Sequence, residues 1–214
     1  MNSKTLQFPN IGVLTAVLSE ENLAPLKEEI LEIQNNFNQS KKNNHRLAGN
    51  IRKEFILTKS KKHINKLLNP YIWEFDNAFG YLSSVAVLNA DCLLSIDSMW
   101  VNFQEKHEFN PAHSHTGVLS FVIWIDIPYN IEDEKLQSPG AESKNPIAGA
   151  FTFHYTNSLG KISHQHIGAD CSMENHFFLF PAQLTHSVAP FYTSDKYRIS
   201  VSGNFKFQLP ENIK

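Results

Sequence analysis

The sequence predicts a mainly β fold, a barrel or sandwich of short strands, with a helical region covering roughly the first ninety residues packed on it. Two observations carry this. Apolar residues recur at helical spacing only before about residue 91. From about residue 92 they alternate, or form short β-branched and aromatic blocks separated by Gly, Pro, Asn and Asp clusters. The expected organisation is a helical support over 1–91 and a β core over 92–214, within a single domain overall. With 42% apolar and 19% charged residues in 214, the composition supports a packed core and excludes a disordered chain.

In order along the chain, Ser19 is a plausible helix N-cap, with Glu20 and Glu21 in the first turn. Leu26, Ile30, Ile33 and Phe37 then form one apolar stripe, giving a helix over 20–38. Residues 43–50 are polar and read as a loop. A second helix starts near Ser60 with Ile64, Leu67 and Leu68 on one side; Pro70 interrupts it, and a further helix follows from Tyr71 to about Val87. Strands are expected at Leu94–Asp97, Trp100–Gln104, Val118–Ile127, Phe151–Tyr155, Phe177–Phe180 and Arg198–Phe207. Pro181 should end the strand before it. Residues 129–149 are polar, hold two prolines and two glycines, and read as a structureless connection, either a lid over a site or a tolerated insertion.

No window approaches ~18 consecutive apolar residues, so no membrane span is expected. The first eighteen residues lack a cleavage signature and read as mature protein. Cys92 and Cys171 do not make a disulfide framework; they fit a reducing, cytoplasmic setting, each as a small buried hydrophobe. The net charge of −2 disfavours nucleic acid as a partner. The charge is uneven, +5 over residues 1–66 and −7 over 67–214, which reads first as a lysine-bearing solvated face and second as a docking end for an anionic partner.

Ten histidines are present, eight of them between His107 and His186. His113 and His115 stand two apart at the entry of a strand, where i and i+2 project to one face. His186 follows a distant strand and turn. Two ligands from one strand edge and a third from another make a facial metal site with open positions. His164 and His166 repeat the spacing but sit in a polar, Gly-flanked segment. Arg198 is the only arginine of the β-rich region, and Ser200 shares its face. An arginine pointing into a barrel needs an anion, and a ligand carboxylate is the natural candidate. Trp100, Asn102 and Gln104 alternate onto one face; Ser120 and Trp124 lie on the strand after the histidine pair.

His-Ser-His at 113–115, His186 after Phe180-Pro-Ala-Gln-Leu-Thr185, and Arg198-Ile-Ser200, in this order, resemble the 2-oxoglutarate/Fe(II)-dependent dioxygenase superfamily, and within it the 2OG-Fe(II) oxygenase group of phages and marine bacteria. The likeness covers roughly residues 92–208. It implies a double-stranded β-helix, a jelly-roll or cupin-like barrel. It implies Fe(II) held by His113, His115 and His186. It further implies 2-oxoglutarate as cosubstrate, anchored through its C5 carboxylate by Arg198 with Ser200 assisting, and contacted by Asn102 and Gln104. Dioxygen, and a small molecule or peptide side chain hydroxylated with release of succinate and carbon dioxide, would complete the reaction. The wider superfamily has Asp or Glu where His115 stands. Three neutral ligands leave the site one unit more positive, which a dianionic cosubstrate would offset; Asp97 and Asp126 lack the spacing to supply the carboxylate. Two other readings are a cupin-like three-histidine dioxygenase without 2-oxoglutarate, and a non-catalytic barrel binding a metal or small acid.

Overall fold

A computed structural model describes residues 10–46, 49–85 and 93–208. The helical layer comprises α1 (Glu20–Asn35), α2 (Lys61–Phe79) and the short α3 (Tyr81–Val85). Ser19 caps α1, its side chain accepting from the Asn22 N–H at 3.2 Å. Leu23, Leu26, Ile30 and Ile33 give α1 its buried stripe, and Phe37, just past the helix, packs on the rings of Phe55 and Phe103. Pro70 does not interrupt α2 as expected: the helix runs through it. The proline removes one backbone bond and crowds the preceding turn. Ile64 and Leu68 before it, and Ile72 and Phe75 after it, are all buried on one face, and that packing outweighs the local cost.

Among the described residues ten strands form two antiparallel sheets. They are β1 (Leu14–Val17), β2 (Glu54–Ile56), β3 (Leu94–Gln104), β4 (Asn110–His113), β5 (Leu119–Asp126), β6 (Ala150–Thr156), β7 (Ile162–Gly168), β8 (His176–Pro181), β9 (His186–Val188) and β10 (Arg198–Phe207). The large sheet has the order β1-β8-β5-β10-β3-β2 and the small sheet β4-β9-β6-β7. The two expected strands at 94–97 and 100–104 are one continuous β3, and β8 ends at Pro181 as its missing N–H requires. The N-terminal region is not wholly helical, since β1 and β2 edge the large sheet against β8 and β3.

The pleat divides the interior. On β3, β5, β8 and β10, one set of alternate residues (Val101, Phe103, Phe121, Ile123, Phe177, Leu179, Val201) packs under α1 and α2. The opposite set faces the small sheet: Val122, Trp124, Phe178 and Phe180 join Phe151 and Phe153 in a second core. Because β5 is covered on both faces, it reads as a nearly unbroken apolar run rather than an alternating one. Gly203 stands where β10 crosses Phe121; a Cβ there would lie 2.6 Å from that ring.

The 129–149 connection is not structureless. It carries α4 (Ile131–Gln137), capped by Asn130. Glu134 of α4 is fully buried and accepts from the backbone N–H groups of Tyr192 and Thr193, each at 2.8 Å, pinning the segment to the barrel. Cys171 is exposed rather than buried, because it opens a short 3-10 turn between β7 and β8; Cys92 lies outside the described residues. Among the described residues no helix is long and apolar enough to cross a membrane.

Candidate active site

Between the sheets lies a cavity of about 200 Å³. One wall is the inner face of the large sheet, and register places its residues in rows. Gln104 pairs with Arg198; Glu54, Asn102, Ser200 and Trp124 form the next row; Trp100, Ser202 and Val122 the third. The other wall brings in His113, His115 and His186.

His113 and His186 face each other across the β4–β9 pair. His115 follows β4, and its backbone is tied to the turn before β9: its N–H donates to Ala182 O at 2.8 Å, and Gln183 Nε2 donates to its carbonyl at 3.2 Å. The three ring centroids are 4.4, 4.9 and 5.0 Å apart, and one nitrogen from each ring lies within 4.8 Å of the others. Among the described residues this is the only such group of three metal-ligating side chains. The far nitrogens are engaged: His113 Nδ1 with Pro111 O at 2.7 Å and His186 Nδ1 with Leu184 O at 2.9 Å. A backbone carbonyl on Nδ1 fixes that tautomer and aims the free Nε2 inward, the usual support of a metal-bound imidazole.

Both inner rings are held neutral. Burial, then the nearby His113, lowers His115 to about 4. Burial, again followed by His113, lowers His186 to about 3, against a small opposing effect of the Leu184 carbonyl. Rings of Phe151, Phe180 and Trp100 enclose the pair. Unprotonated imidazoles around one point are what a divalent cation requires. Asp97 and Asp126 are exposed, and Asp97 is paired with Lys206, so neither joins the group.

Arg198 is 3% exposed and has no carboxylate partner among the described residues. All of its contacts are to neutral acceptors. Nε and Nη2 donate to Gln104 Oε1 at 3.1 and 2.5 Å, Nη1 to Tyr129 OH at 2.7 Å and Gly149 O at 3.0 Å, and Nη2 weakly to Ala189 O at 3.4 Å. Phe191 lies under the guanidinium. Gln104 in turn donates to Glu108 O at 2.6 Å, so both ends of its amide are occupied in orienting Arg198. Asn102 Nδ2 donates to the Ser200 carbonyl and hydroxyl at 3.4 and 3.3 Å, while its Oδ1 is buried without a donor. Trp124 lines the cavity; Ser120 does not, its hydroxyl donating to Asn204 at 2.7 Å.

Tyr129, Gly149 and Glu54 were not foreseen. The first two are the ends of the polar connection, which therefore cradles the arginine. His164 and His166 lie on β7, engaged by His154 and Thr152 rather than by the cavity.

The family model described as "Putative 2OG-Fe(II) oxygenase" matches residues 98–204, half of the chain. No curated protein matches. Solved structures with a similar fold include a Pseudomonas putida prolyl-4-hydroxylase, with 12% identity over 92% of this chain and 93% of that one and a TM-score of 0.54. The non-heme alpha ketoglutarate dependent epimerase SnoN from nogalamycin biosynthesis shares 11% identity over 91% of this chain and 76% of that one, at a TM-score of 0.55. AviO1 from Streptomyces viridochromogenes shares 11% over 94% and 90%, at 0.51. These likenesses show the fold, the double-stranded β-helix.

The chain belongs to the 2OG-Fe(II) oxygenase family, whose enzymes take Fe(II) and 2-oxoglutarate.

Proposed function

We propose that this family member hydroxylates its prime substrate with Fe(II) held by His113, His115 and His186 and 2-oxoglutarate held by Arg198, releasing succinate and carbon dioxide. The observation that carries the reading is one cavity containing both a convergent trio of imidazoles and a buried guanidinium with no acid of its own among the described residues. Bound iron would supply the redox chemistry with dioxygen and the cosubstrate.

The chain's residues divide the remaining work. His113, His115 and His186 would hold the iron through three imidazole nitrogens, which lie within 4.8 Å of one another. Arg198 supplies charge and a planar fork for a carboxylate at the far end of the cavity. Gln104, Tyr129 and Gly149 hold that fork in place. Asn102 orients the Ser200 hydroxyl by donating to it, which frees the hydroxyl hydrogen for the same carboxylate. The histidine at position 115 matches a dianionic cosubstrate, since no ligand carboxylate competes for the metal charge. Trp124, Phe151 and Val122 exclude water from the space between.

Anaerobic addition of Fe(II) and then 2-oxoglutarate tests this. A metal-to-ligand charge-transfer band that needs both supports it; its absence rejects it. Turnover of 2-oxoglutarate to succinate with oxygen completes the test.

A further inference from the structure

Among the described residues lining the cavity, Glu54 is the only carboxylic acid. It is 3% exposed, and no lysine or arginine pairs with it among the described residues. Oε2 takes a single bond, from Asn44 Nδ2 at 3.1 Å; Oε1 is buried with no donor. Its register partner across β2–β3 is Asn102, so the two side chains stand on one face of the sheet. The Asn102 amide is assigned from its neighbours: Nδ2 lies 3.4 Å from the Ser200 carbonyl, which only accepts, and this makes the buried, unpartnered atom the oxygen. Two neighbouring buried acceptors without donors are rare in a folded protein and need an explanation.

We propose that Glu54 and Asn102 form the substrate-recognition wall of the cavity and take an amine of the prime substrate, bound as its ammonium. This rests on the oxygenase reading of the same cavity. Two places on the cavity wall then make opposite demands. At Arg198 a buried cation lacks an acid and suits the cosubstrate carboxylate. At Glu54 a buried acid lacks a cation. Glu54 shares a row with Ser200 and Trp124, one row from Arg198, yet forms no ion pair with it. An ammonium brings several N–H donors and the missing charge; an alcohol brings one donor and no charge. A carboxylate would face the Asn102 oxygen and could only add a second negative charge beside Glu54, with no cation to balance it. The carboxyl of Glu54 is raised to about 8, first by burial and then by the charge of Glu108, which is the state of an acid awaiting a positive partner.

The test is calorimetric titration of n-butylamine, 1-butanol and butyrate into the anaerobic Fe(II)- and 2-oxoglutarate-loaded protein. Butylamine should bind at least tenfold more tightly than either of the others. Glu54→Gln should remove that preference while keeping the charge-transfer band, and Asn102→Ser should reduce it by a smaller factor. Equal binding of amine and alcohol, no binding of butylamine, preference for butyrate, or butylamine affinity within twofold in Glu54→Gln would each overturn the proposal; the last also identifies an amine that merely ligates iron. A wild-type protein without the charge-transfer band removes the oxygenase-site reading beneath it, and is recognised before any amine is added.

Discussion

Replacing Arg198 removes the only buried cation among the described residues lining the cavity without touching the imidazoles. A charge-assisted bond contributes about 1.5–3 kcal/mol net, and the two arms of a carboxylate fork share one charge rather than adding fully. Arg198→Ala should therefore weaken 2-oxoglutarate binding by about 10- to 150-fold, since ~1.4 kcal/mol is a factor of ten. Arg198→Lys should fall between, because it keeps the charge and loses the fork. The substitution also strands Gln104 Oε1 and leaves Gly149 O with only the Tyr129 hydroxyl at 3.3 Å, so a lower melting temperature is expected as well. The assay is anaerobic titration of 2-oxoglutarate into Fe(II)-loaded protein, read by the charge-transfer band, with a thermal melt confirming a folded variant. Iron affinity should not change. Cosubstrate affinity within twofold of wild type in folded Arg198→Ala would refute the reasoning.

Other expected outcomes follow from the same structure. His115→Asp should retain Fe(II) while His115→Ala loses it, because aspartate restores a two-histidine, one-carboxylate set; equilibrium dialysis with iron quantitation distinguishes them. Burial raises the Glu29 carboxyl, but bonds from Ser60, Lys59 and Thr58 outweigh it and hold the group below its ordinary value. A depressed acid contributes stability above its unfolded value, lost as pH falls through the folded one. Glu29→Gln should thus cost about 2–4 kcal/mol near neutrality, with the deficit shrinking below about pH 4.5, as seen in urea melts across pH. Gly203→Ala places a Cβ 2.6 Å from the Phe121 ring and 2.8 Å from Ser98 O, and should destabilise by about 1–3 kcal/mol in the same melts.

The parts legible in the sequence are those with a dense local signal. β5, β8 and β10 are long apolar or alternating runs, and two histidines at i and i+2 before β5 mark a strand edge whatever lies across it. The arginine was legible through scarcity, with no acid to neutralise it. Glu54 was not: β2 has three residues, too few to show a period, and one acid among twenty-one carries no spacing signal until β3 is laid beside it. Tyr129 and Gly149 close on Arg198 from the two ends of a polar segment, a contact only the fold creates. Pro70 was misread because local cost was weighed without the burial on both sides of it. The histidines of β7 repeat the ligand spacing, but spacing does not say which sheet and which face they occupy.

The central claim is that three imidazoles from two distant stretches of chain share one iron. X-ray absorption on the anaerobic Fe(II)-loaded protein tests it most directly. One iron per chain with three imidazole nitrogens in its shell, and loss of iron or of one imidazole in His113→Ala, His115→Ala and His186→Ala alike, is the expected result. A shell that any one of these three replacements leaves unchanged would contradict it.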